Sequence, residues 1–365
     1  MTQAAYDVAC QGFLPDWTRV RRVLLIRLRS IGDTVLMTPC LAALKSWKPD
    51  IEISVLTEPL SAPLLEDHPM VDRLIIAGPA LAARARLALR LRSRRFDVAF
   101  NLHGGTTGMF LARLSGARQT IAFRGHRQSW LMSGRAPSPD VILGRARIHS
   151  VEQQLALLHW AGVPWPERPV LSLALSSEAK ASVAARLDSI GLYETGTPRR
   201  FALIAPSAAM ESKRWTAAGF AAVADHLNDE WGLPSLVVAG PGQEGLARSV
   251  SAASHAKPAV VSGLSLKELM ALAAMSEIFV GNDSGPAHIA AAFARPLVVI
   301  FGTSNSTLWR PWTESAYRVV RSESREDRRA IKRIPAEEVK AAVDEILQLA
   351  LEARHRADAS SPVNL

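Results

Sequence analysis

The chain has 365 residues, of which 48% are hydrophobic and 21% are charged, a balance that excludes a disordered chain. Its length favours two domains over a single core. Cys10 and Cys40 are the only cysteines, which excludes a disulfide framework or a cysteine-rich metal site and favours a reducing compartment.

The positive charge is concentrated in the first half of the chain. Basic residues exceed acidic ones by nine overall, and residues 1–170 carry 22 basic and 13 acidic residues, so the remainder is neutral. Unless this charge serves only solubility, it indicates an anionic partner of the first half. That partner is nucleic acid, a phosphorylated sugar or an acidic membrane surface.

Neither secretion nor a membrane span is expected. The first residues, MTQAAYDVACQGFLPDW, lack a basic region followed by an apolar run, as a secretory signal would have. Arg295 interrupts the longest apolar stretch, so no run of about 18 apolar residues remains. We therefore predict a cytoplasmic protein.

The first half alternates predicted strands and helices, beginning with the strand VLLIRL and the turn RSIGD. Asp33 ends this turn, where a helix N-cap would stand, and an acid there is most often a cap. The turn lacks the GxGxxG pattern of a dinucleotide site, which counts against a dehydrogenase. Further strands are predicted for IEISVLTEP, DRLIIAG and FDVAFNL.

A basic helix is predicted for ALAARARLALRLRSRRF. Arg86, Arg90 and Arg94 recur there at a spacing of four residues and so share one face. This face is either simply solvated or in contact with an anionic surface.

Two more features of the first half are candidate binding elements. His103 ends a strand beside two glycines, which places it either in a ligand site or in a structural role. Residues 123–148, which include Arg124 and Trp130, form a long basic stretch predicted to be a binding loop or disordered.

A proline-rich stretch, PWPERPVLSL, predicts the domain boundary. We expect domains at 1–170 and 171–335, a helix at 336–352 and a disordered tail at 353–365.

In the second half, Lys213 follows the strand RFALIAPS, and Glu244 opens the helix after the strand LVVAG.

The stretch FVGNDSGPAHIAAAFARPLVVIFG, residues 279–302, reads as a strand, a polar turn, a small-residue helix and a second strand. The helix N-terminus behind Ser284 and Gly285 suits a phosphate, and we expect Asp283 to cap the turn or to hold a hydroxyl. The alternation in both halves predicts an α/β fold with two doubly wound domains facing one another across a cleft.

Three segments together resemble the ADP-heptose:lipopolysaccharide heptosyltransferase family over residues 22–347. They are LLIRLRSIGDTVLMTPCLAALK, the segment with Lys213 and Trp215, and NDSGPAHIAAAFARPLVVIFG. The resemblance implies the GT-B fold with two Rossmann-like domains, an N-terminal acceptor domain and a C-terminal donor domain. It also implies inversion at the sugar's anomeric carbon and no need for a metal or another cofactor.

The resemblance also implies roles for single residues. Asp33 matches the general base that deprotonates the acceptor hydroxyl, Lys213 the lysine that holds the donor diphosphate, and Glu244 the acid that hydrogen-bonds the nucleoside. The donor-binding turn matches Asp283, Ser284, Gly285 and His288. We assign acceptor binding to Arg29, Ser30, His103 and Arg124.

The chain departs from the family pattern at Arg27 and Arg29, where members often carry small polar residues, and after Lys213, where Trp-Pro is common.

The expected partners are ADP-heptose and an anionic lipid-linked glycan, with peripheral contact at the cytoplasmic face of the inner membrane. The alternative is a catalytically silent module that binds a nucleotide sugar or a glycan. Nucleic-acid binding rests on charge alone, and no nucleic-acid partner is expected.

Overall fold

The first half of the chain folds around a six-stranded parallel sheet. The computed structural model describes residues 14–78, 80–194 and 196–360. The strands are β1 (Arg22–Ile26), β2 (Glu52–Thr57), β3 (Arg73–Ile76), β4 (Val98–Asn101), β5 (Gln119–Phe123) and β6 (Gly134–Ala136). Their order across the sheet is β3-β2-β1-β4-β5-β6.

Six helices of the described residues connect and cover these strands. They are α1 (Ile31–Val35), α2 (Thr38–Trp47), α3 (Leu81–Ser93), α4 (Thr106–Leu114), α5 (Pro139–Leu143) and α6 (Ser150–Trp160). The central strands β1 and β4 are apolar almost throughout and buried on both faces, as parallel strands between helix layers are.

The second half repeats this architecture with a second six-stranded parallel sheet. Its strands are β9 (Ala202–Ala205), β10 (Ser235–Val238), β11 (Ala259–Val261), β12 (Ile278–Asn282), β13 (Leu297–Phe301) and β14 (Tyr317–Arg321), and β7 (Tyr193–Glu194) and β8 (Thr197–Pro198) form a small antiparallel ribbon before it. The order β11-β10-β9-β12-β13-β14 is that of the first sheet.

Seven helices belong to this half of the described chain. They are α7 (Ser177–Asp188), α8 (Ala217–Trp231), α9 (Glu244–Ala253), α10 (Leu266–Met275), α11 (Gly285–Ala292), α12 (Ser306–Trp309) and α13 (Ala336–Ser360). Short 3-10 turns lie at Ala62–Leu64, Ser129–Leu131, Glu211–Lys213 and Ala330–Arg333. The predicted alternation of strand and helix in both halves is confirmed.

The strand order reverses beside the first strand of each sheet, between β1 and β4 and between β9 and β12. In open α/β sheets, ligands bind outside the carboxyl ends of the strands at such a point. The segments after these four strands are therefore the places where a site is expected.

Several details differ from the sequence-based expectations. The strands β5, β6 and β14 were not predicted. The stretch 123–148 is no irregular loop, because it contains the turn Ser129–Leu131, β6 and α5. The chain divides into two compact units between Ala174 and Leu175, whereas we expected the boundary at residue 170.

The expected disordered tail at 353–365 needs correction over its first part, because α13 continues to Ser360. Arg354 Nη1 lies 2.6 Å from Oε1 of the buried Glu277, which ties this part of the helix to the second unit. Residues 361–365 lie outside the described residues.

Each unit has its own apolar core. Cys40 is buried in the first unit as a free cysteine, and burial raises the pKa of its thiol; Cys10 lies outside the described residues. Among the helices of residues 14–78, 80–194 and 196–360, none is long and apolar enough to cross a bilayer.

Candidate active site

The segment after β1 holds an ion pair between Arg27 and Asp33. Nη2 of Arg27 pairs with Oδ1 of Asp33, and Nη1 donates a hydrogen bond to the carbonyl of Leu102 at the end of β4. Arg27 thus joins the ends of the two central strands. Burial lowers the pKa of its guanidinium, and the Asp33 carboxylate counteracts this.

The second carboxylate oxygen of Asp33 accepts hydrogen bonds from Ser30, at 3.0 Å from Oγ and 3.3 Å from the backbone nitrogen. We expected Asp33 to stand at the N-cap, but Ser30 is the N-cap of α1 and Asp33 is the third residue of that helix. The carboxylate is held on both sides, yet its side chain remains 20% exposed.

Two histidines stand over the glycine turn that follows β4. A β-carbon at Gly104 would lie 2.8 Å from Cε1 of His126, and one at Gly105 would lie 2.9 Å from Nε2 of His103. Gly104 also has a φ of +74°, so glycine is required there for two reasons. The turn therefore permits both imidazole rings to approach the backbone.

Burial lowers the pKa of both His103 and His126, and the positive charge of Arg27 lowers both further. A hydrogen bond between the His103 ring and the backbone of Arg29 acts in the opposite direction. At neutral pH both imidazoles are uncharged, and each offers one donor and one acceptor.

The other acceptor candidates are more exposed. Arg29 Nε lies 3.6 Å from a carboxylate oxygen of Glu58. Arg124 is exposed, and its backbone nitrogen donates to the carbonyl of Ala136 at 2.7 Å. Arg29, Ser30 and His103 are thus gathered with Asp33, whereas no contact joins the Arg124 side chain to them.

In the second unit, Asn282 holds the segment after β9 against the end of β12. Its side chain accepts a hydrogen bond from the backbone nitrogen of Trp215 at 3.0 Å and donates one to the carbonyl of Pro206 at 2.7 Å. Asn282 is fully buried, and the Trp215 ring packs so tightly on Gly219 that a β-carbon there would lie 2.4 Å away. The segment between Pro206 and Trp215 is thereby fixed at both ends.

Lys213 lies in this fixed segment and pairs with Asp283. The distance from its Nζ to Oδ2 of Asp283 is 2.7 Å, and the side chains are 22% and 4% exposed, respectively. A buried carboxylate therefore holds an ammonium group that reaches solvent at the carboxyl edge of the sheet.

The helix α11 begins directly after Asp283. Ser284 is its N-cap residue, Gly285 its first residue, and a proline stands in its first turn. The Ser284 hydroxyl donates to the carbonyl of Asn282 at 3.1 Å, and His288 is buried. The N–H groups of the first turn thus lie next to the Lys213–Asp283 pair, as an anion site requires.

Glu244 opens α9, as predicted, but it is only half-buried, and its carboxylate accepts a hydrogen bond from the backbone nitrogen of Gly242 at 3.1 Å. Hydrogen bonds with its own backbone and with that of Gly242 lower the pKa of the Glu244 carboxyl. The neighbouring Gln243 reaches the carbonyl of Ala208 at 3.5 Å, which links this turn to the segment carrying Lys213. No contact joins the Glu244 side chain itself to Lys213 or Asp283.

Sequence reasoning did not assign roles to Arg27, His126 and Asn282. The signal for Arg27 was its position directly after an apolar strand, and that for Asn282 was its place at the end of a buried strand. His126 gave no comparable signal.

In the part of the chain that the structure describes, no group of three or more His, Cys, Asp or Glu side chains is arranged to hold a metal ion.

Comparison with known proteins agrees with this architecture. Residues 84–336 match the model of glycosyltransferase family 9 (heptosyltransferase). Lipopolysaccharide heptosyltransferase 3 of Escherichia coli is 30% identical over 340 residues, which cover 88% of this chain and 97% of that protein.

Two solved structures share the fold. The glycosyltransferase family 9 protein of Veillonella parvula superimposes with a TM-score of 0.80 at 22% identity, covering 90% of this chain and 97% of that one. The E. coli heptosyltransferase WaaC with ADP gives a TM-score of 0.71 at 18% identity, covering 89% and 99%. The expected GT-B class of two Rossmann-like domains is confirmed. The chain belongs to glycosyltransferase family 9, the heptosyltransferase family, and is a glycosyltransferase.

Proposed function

We propose that the protein transfers a heptose from ADP-heptose to a lipopolysaccharide core or a related anionic glycan, with inversion and without a metal ion. The observation that carries this proposal is the Asp33 carboxylate, held by Arg27 and Ser30 at the switch point of the first sheet. A fixed, partly exposed carboxylate suits a general base.

The choice of substrates is supported by the relatives. The E. coli protein that shares 30% identity is named a lipopolysaccharide heptosyltransferase, and the WaaC structure was determined with ADP. The excess of basic residues in the first half suits a phosphorylated acceptor.

On the acceptor side, Asp33 takes the proton of the acceptor hydroxyl. The hydroxyl oxygen attacks C1 of the heptose from the face opposite the diphosphate, a bond forms between that oxygen and C1, and the bond from C1 to the diphosphate oxygen breaks. ADP leaves with the bonding electrons. Ser30, Arg29, His103 and Arg124 bind the acceptor in this proposal.

On the donor side, the charge that develops on the diphosphate needs neutralisation. Lys213 and the N–H groups at the start of α11 supply it, and Asp283 keeps the ammonium group in position. Ser284, Gly285 and His288 complete the donor turn, and Glu244 binds the nucleoside. These groups carry the role that a divalent cation has in metal-dependent transferases.

A lipid-linked acceptor would place the reaction at the cytoplasmic face of the inner membrane. We also propose that the first unit serves the acceptor and the second unit serves the donor, a division that the two ion pairs support.

The first test is thermal unfolding with ADP, UDP, GDP or CMP, followed by a transfer assay with ADP-heptose and a core acceptor. A ligand that binds only the native state raises Tm by mass action. We expect ADP alone to raise Tm and transfer to follow. A rise with UDP or GDP alone would discard heptose, and ADP binding without transfer to any core acceptor would favour the silent binding module.

A further inference from the structure

An exposed surface of the first unit combines arginines with large apolar side chains. We call it the arginine face and define it by Arg86, Leu89 and Arg90 of α3, Phe110 and Arg113 of α4, and Trp130 of the turn Ser129–Leu131. All six side chains are exposed.

The three elements form one continuous layer on the first sheet. Leu87 and Leu91 of α3, Met109 of α4 and Met132, which directly follows the turn, belong to a single core cluster. At one end of α4, a β-carbon at Gly116 would lie 2.9 Å from Cγ of Arg92 on α3. At the other end, the Thr106 hydroxyl donates to Oε1 of Gln128 at 2.9 Å. The outer sides of these elements therefore belong to one surface.

The apolar side chains of this face are unusually open to water. Leu89 is 72% exposed, Trp130 is 71% exposed and Phe110 is 47% exposed. Single exposed apolar residues are common, but a group of them on one layer marks an interaction surface.

The stretch of chain that carries these side chains is almost entirely positive in charge. Residues 80–139 contain eleven arginines and a single acidic residue, Asp97. The Asp97 carboxylate accepts hydrogen bonds from the backbone nitrogens of Arg21 and Arg22 at 2.9 and 3.0 Å, and Arg118 lies 3.7 Å away. Because that carboxylate is already engaged, no acid neutralises the arginine face from within this stretch.

We propose that the arginine face binds the surface of a membrane rich in anionic lipid. Arginine attracts anionic headgroups, while leucine, phenylalanine and tryptophan insert between headgroup and acyl chain. Nucleic acid would satisfy the arginines and leave Leu89 and Phe110 in water.

This surface adjoins the acceptor half of the site. The helix α4 begins directly after Gly105, on which His103 packs, and the turn with Trp130 follows His126 in the chain. In its link to the acceptor, the inference rests on the proposed function: a lipid-linked acceptor would be held at the edge where Asp33 lies.

The test is sedimentation of the full-length protein with vesicles of phosphatidylcholine alone or mixed with an equal amount of phosphatidylglycerol. We expect binding only to the mixed vesicles, and its loss at about 1 M salt, where the Debye length is about 3 Å. The variant Arg86→Gln/Arg90→Gln/Arg113→Gln should bind roughly a hundredfold more weakly, since each basic residue near such a surface contributes about a factor of five.

Matched variants test whether vesicle binding depends on the arginine face or only on the net charge of the protein. Arg199→Gln/Arg321→Gln/Arg328→Gln makes the same charge change at exposed positions of the second unit and should bind as the unchanged protein does. Trp130→Ser should weaken binding about tenfold, whereas Ile190→Ser, at an exposed apolar position of the second unit, should not.

Equal binding to neutral and mixed vesicles, no binding to either, or wild-type binding by the triple variant of the arginine face would overturn the proposal. So would tighter binding to duplex DNA than to mixed vesicles. The vesicle result is independent of catalysis, and transfer to a soluble, delipidated acceptor should be unchanged in the triple variant. Failure of transfer by the unchanged protein would therefore count against the proposed function alone.

Discussion

Each unit has an ion pair where the strand order of its sheet reverses, but the more buried member differs. It is the basic residue in the first unit and the acidic residue in the second. In the first unit, the Arg27 side chain is 10% exposed and that of Asp33 is 20% exposed. In the second, the Asp283 side chain is 4% exposed and that of Lys213 is 22% exposed. The first unit thus presents a carboxylate to solvent, and the second presents an ammonium group.

This reversal suits one architecture to two kinds of chemistry. The more buried member of each pair fixes the other in place, because a buried charge keeps its counter-charge close. The member that reaches solvent is then available to a ligand. A carboxylate suits a base that accepts a proton, and an ammonium group suits a diphosphate.

The largest effect, a loss of turnover, is expected from a substitution in the Arg27–Asp33 pair. Asp33→Asn removes the proposed base while keeping the shape of the side chain, and we expect the turnover number to fall by about 10²–10⁴-fold. The rise of Tm caused by ADP should persist, because the proposed donor groups lie in the second unit. Steady-state transfer kinetics and thermal unfolding measure the two properties.

Ser30→Ala is the control for Asp33→Asn. It removes the hydroxyl that donates to Asp33 but leaves the carboxylate and Arg27, so the loss of turnover should be much smaller. Normal transfer by Asp33→Asn would refute the role of Asp33 as base and reduce the first pair to a structural one.

A smaller effect, on ADP affinity, is expected from a substitution in the Lys213–Asp283 pair. Lys213→Gln removes a charge-assisted contact, worth about 1.5–3 kcal/mol, so ADP affinity should fall by roughly ten- to a hundredfold. Calorimetric titration with ADP measures this loss. Lys332→Gln, which breaks a pair with Glu211 in which both side chains are exposed, is the matched control and should leave ADP affinity unchanged. Equal affinities of Lys213→Gln and the unchanged protein would remove Lys213 from the donor site.

The smallest expected effect is on the pH dependence of stability, and it comes from His103 and His126 beside the Arg27–Asp33 pair. The pKa values of His103 and His126 are lowered in the folded state, so the unfolded chain takes up their protons first as the pH falls below about 6.5. The free energy of unfolding should therefore decrease on acidification, by at most about 1.4 kcal/mol per pH unit for each histidine, until the lowered pKa is reached.

Urea unfolding between neutral and mildly acidic pH measures this dependence. His103→Gln/His126→Gln should show a shallower loss of stability than the unchanged protein, whereas Lys332→Gln, in an exposed ion pair, should retain the original pH dependence. An unchanged slope in the double histidine variant would mean that the two imidazoles are not held neutral beside Arg27.

The sequence predicted the general architecture because parallel strands leave a strong pattern. Apolar runs such as VLLIRL and PLVVIFG alternate with helical segments, and that alternation suffices for two doubly wound domains. The missed strands β5, β6 and β14 lie toward the outer side of their sheets. The strand β6 is short and β14 is less buried, whereas β5 is buried but begins with the polar residues Gln119 and Thr120, which shorten its apolar run.

By itself, the sequence determined which residue types follow the central strands: an aspartate and an arginine in the first half, and a lysine and an aspartate in the second. Only the tertiary structure decided how these groups pair and which member is buried. Lys213 and Asp283 are 70 residues apart, and Arg27 is covered through its bond to the end of β4. Burial depends on the packing of segments distant in sequence, and it is burial that decides which charge remains free for a ligand.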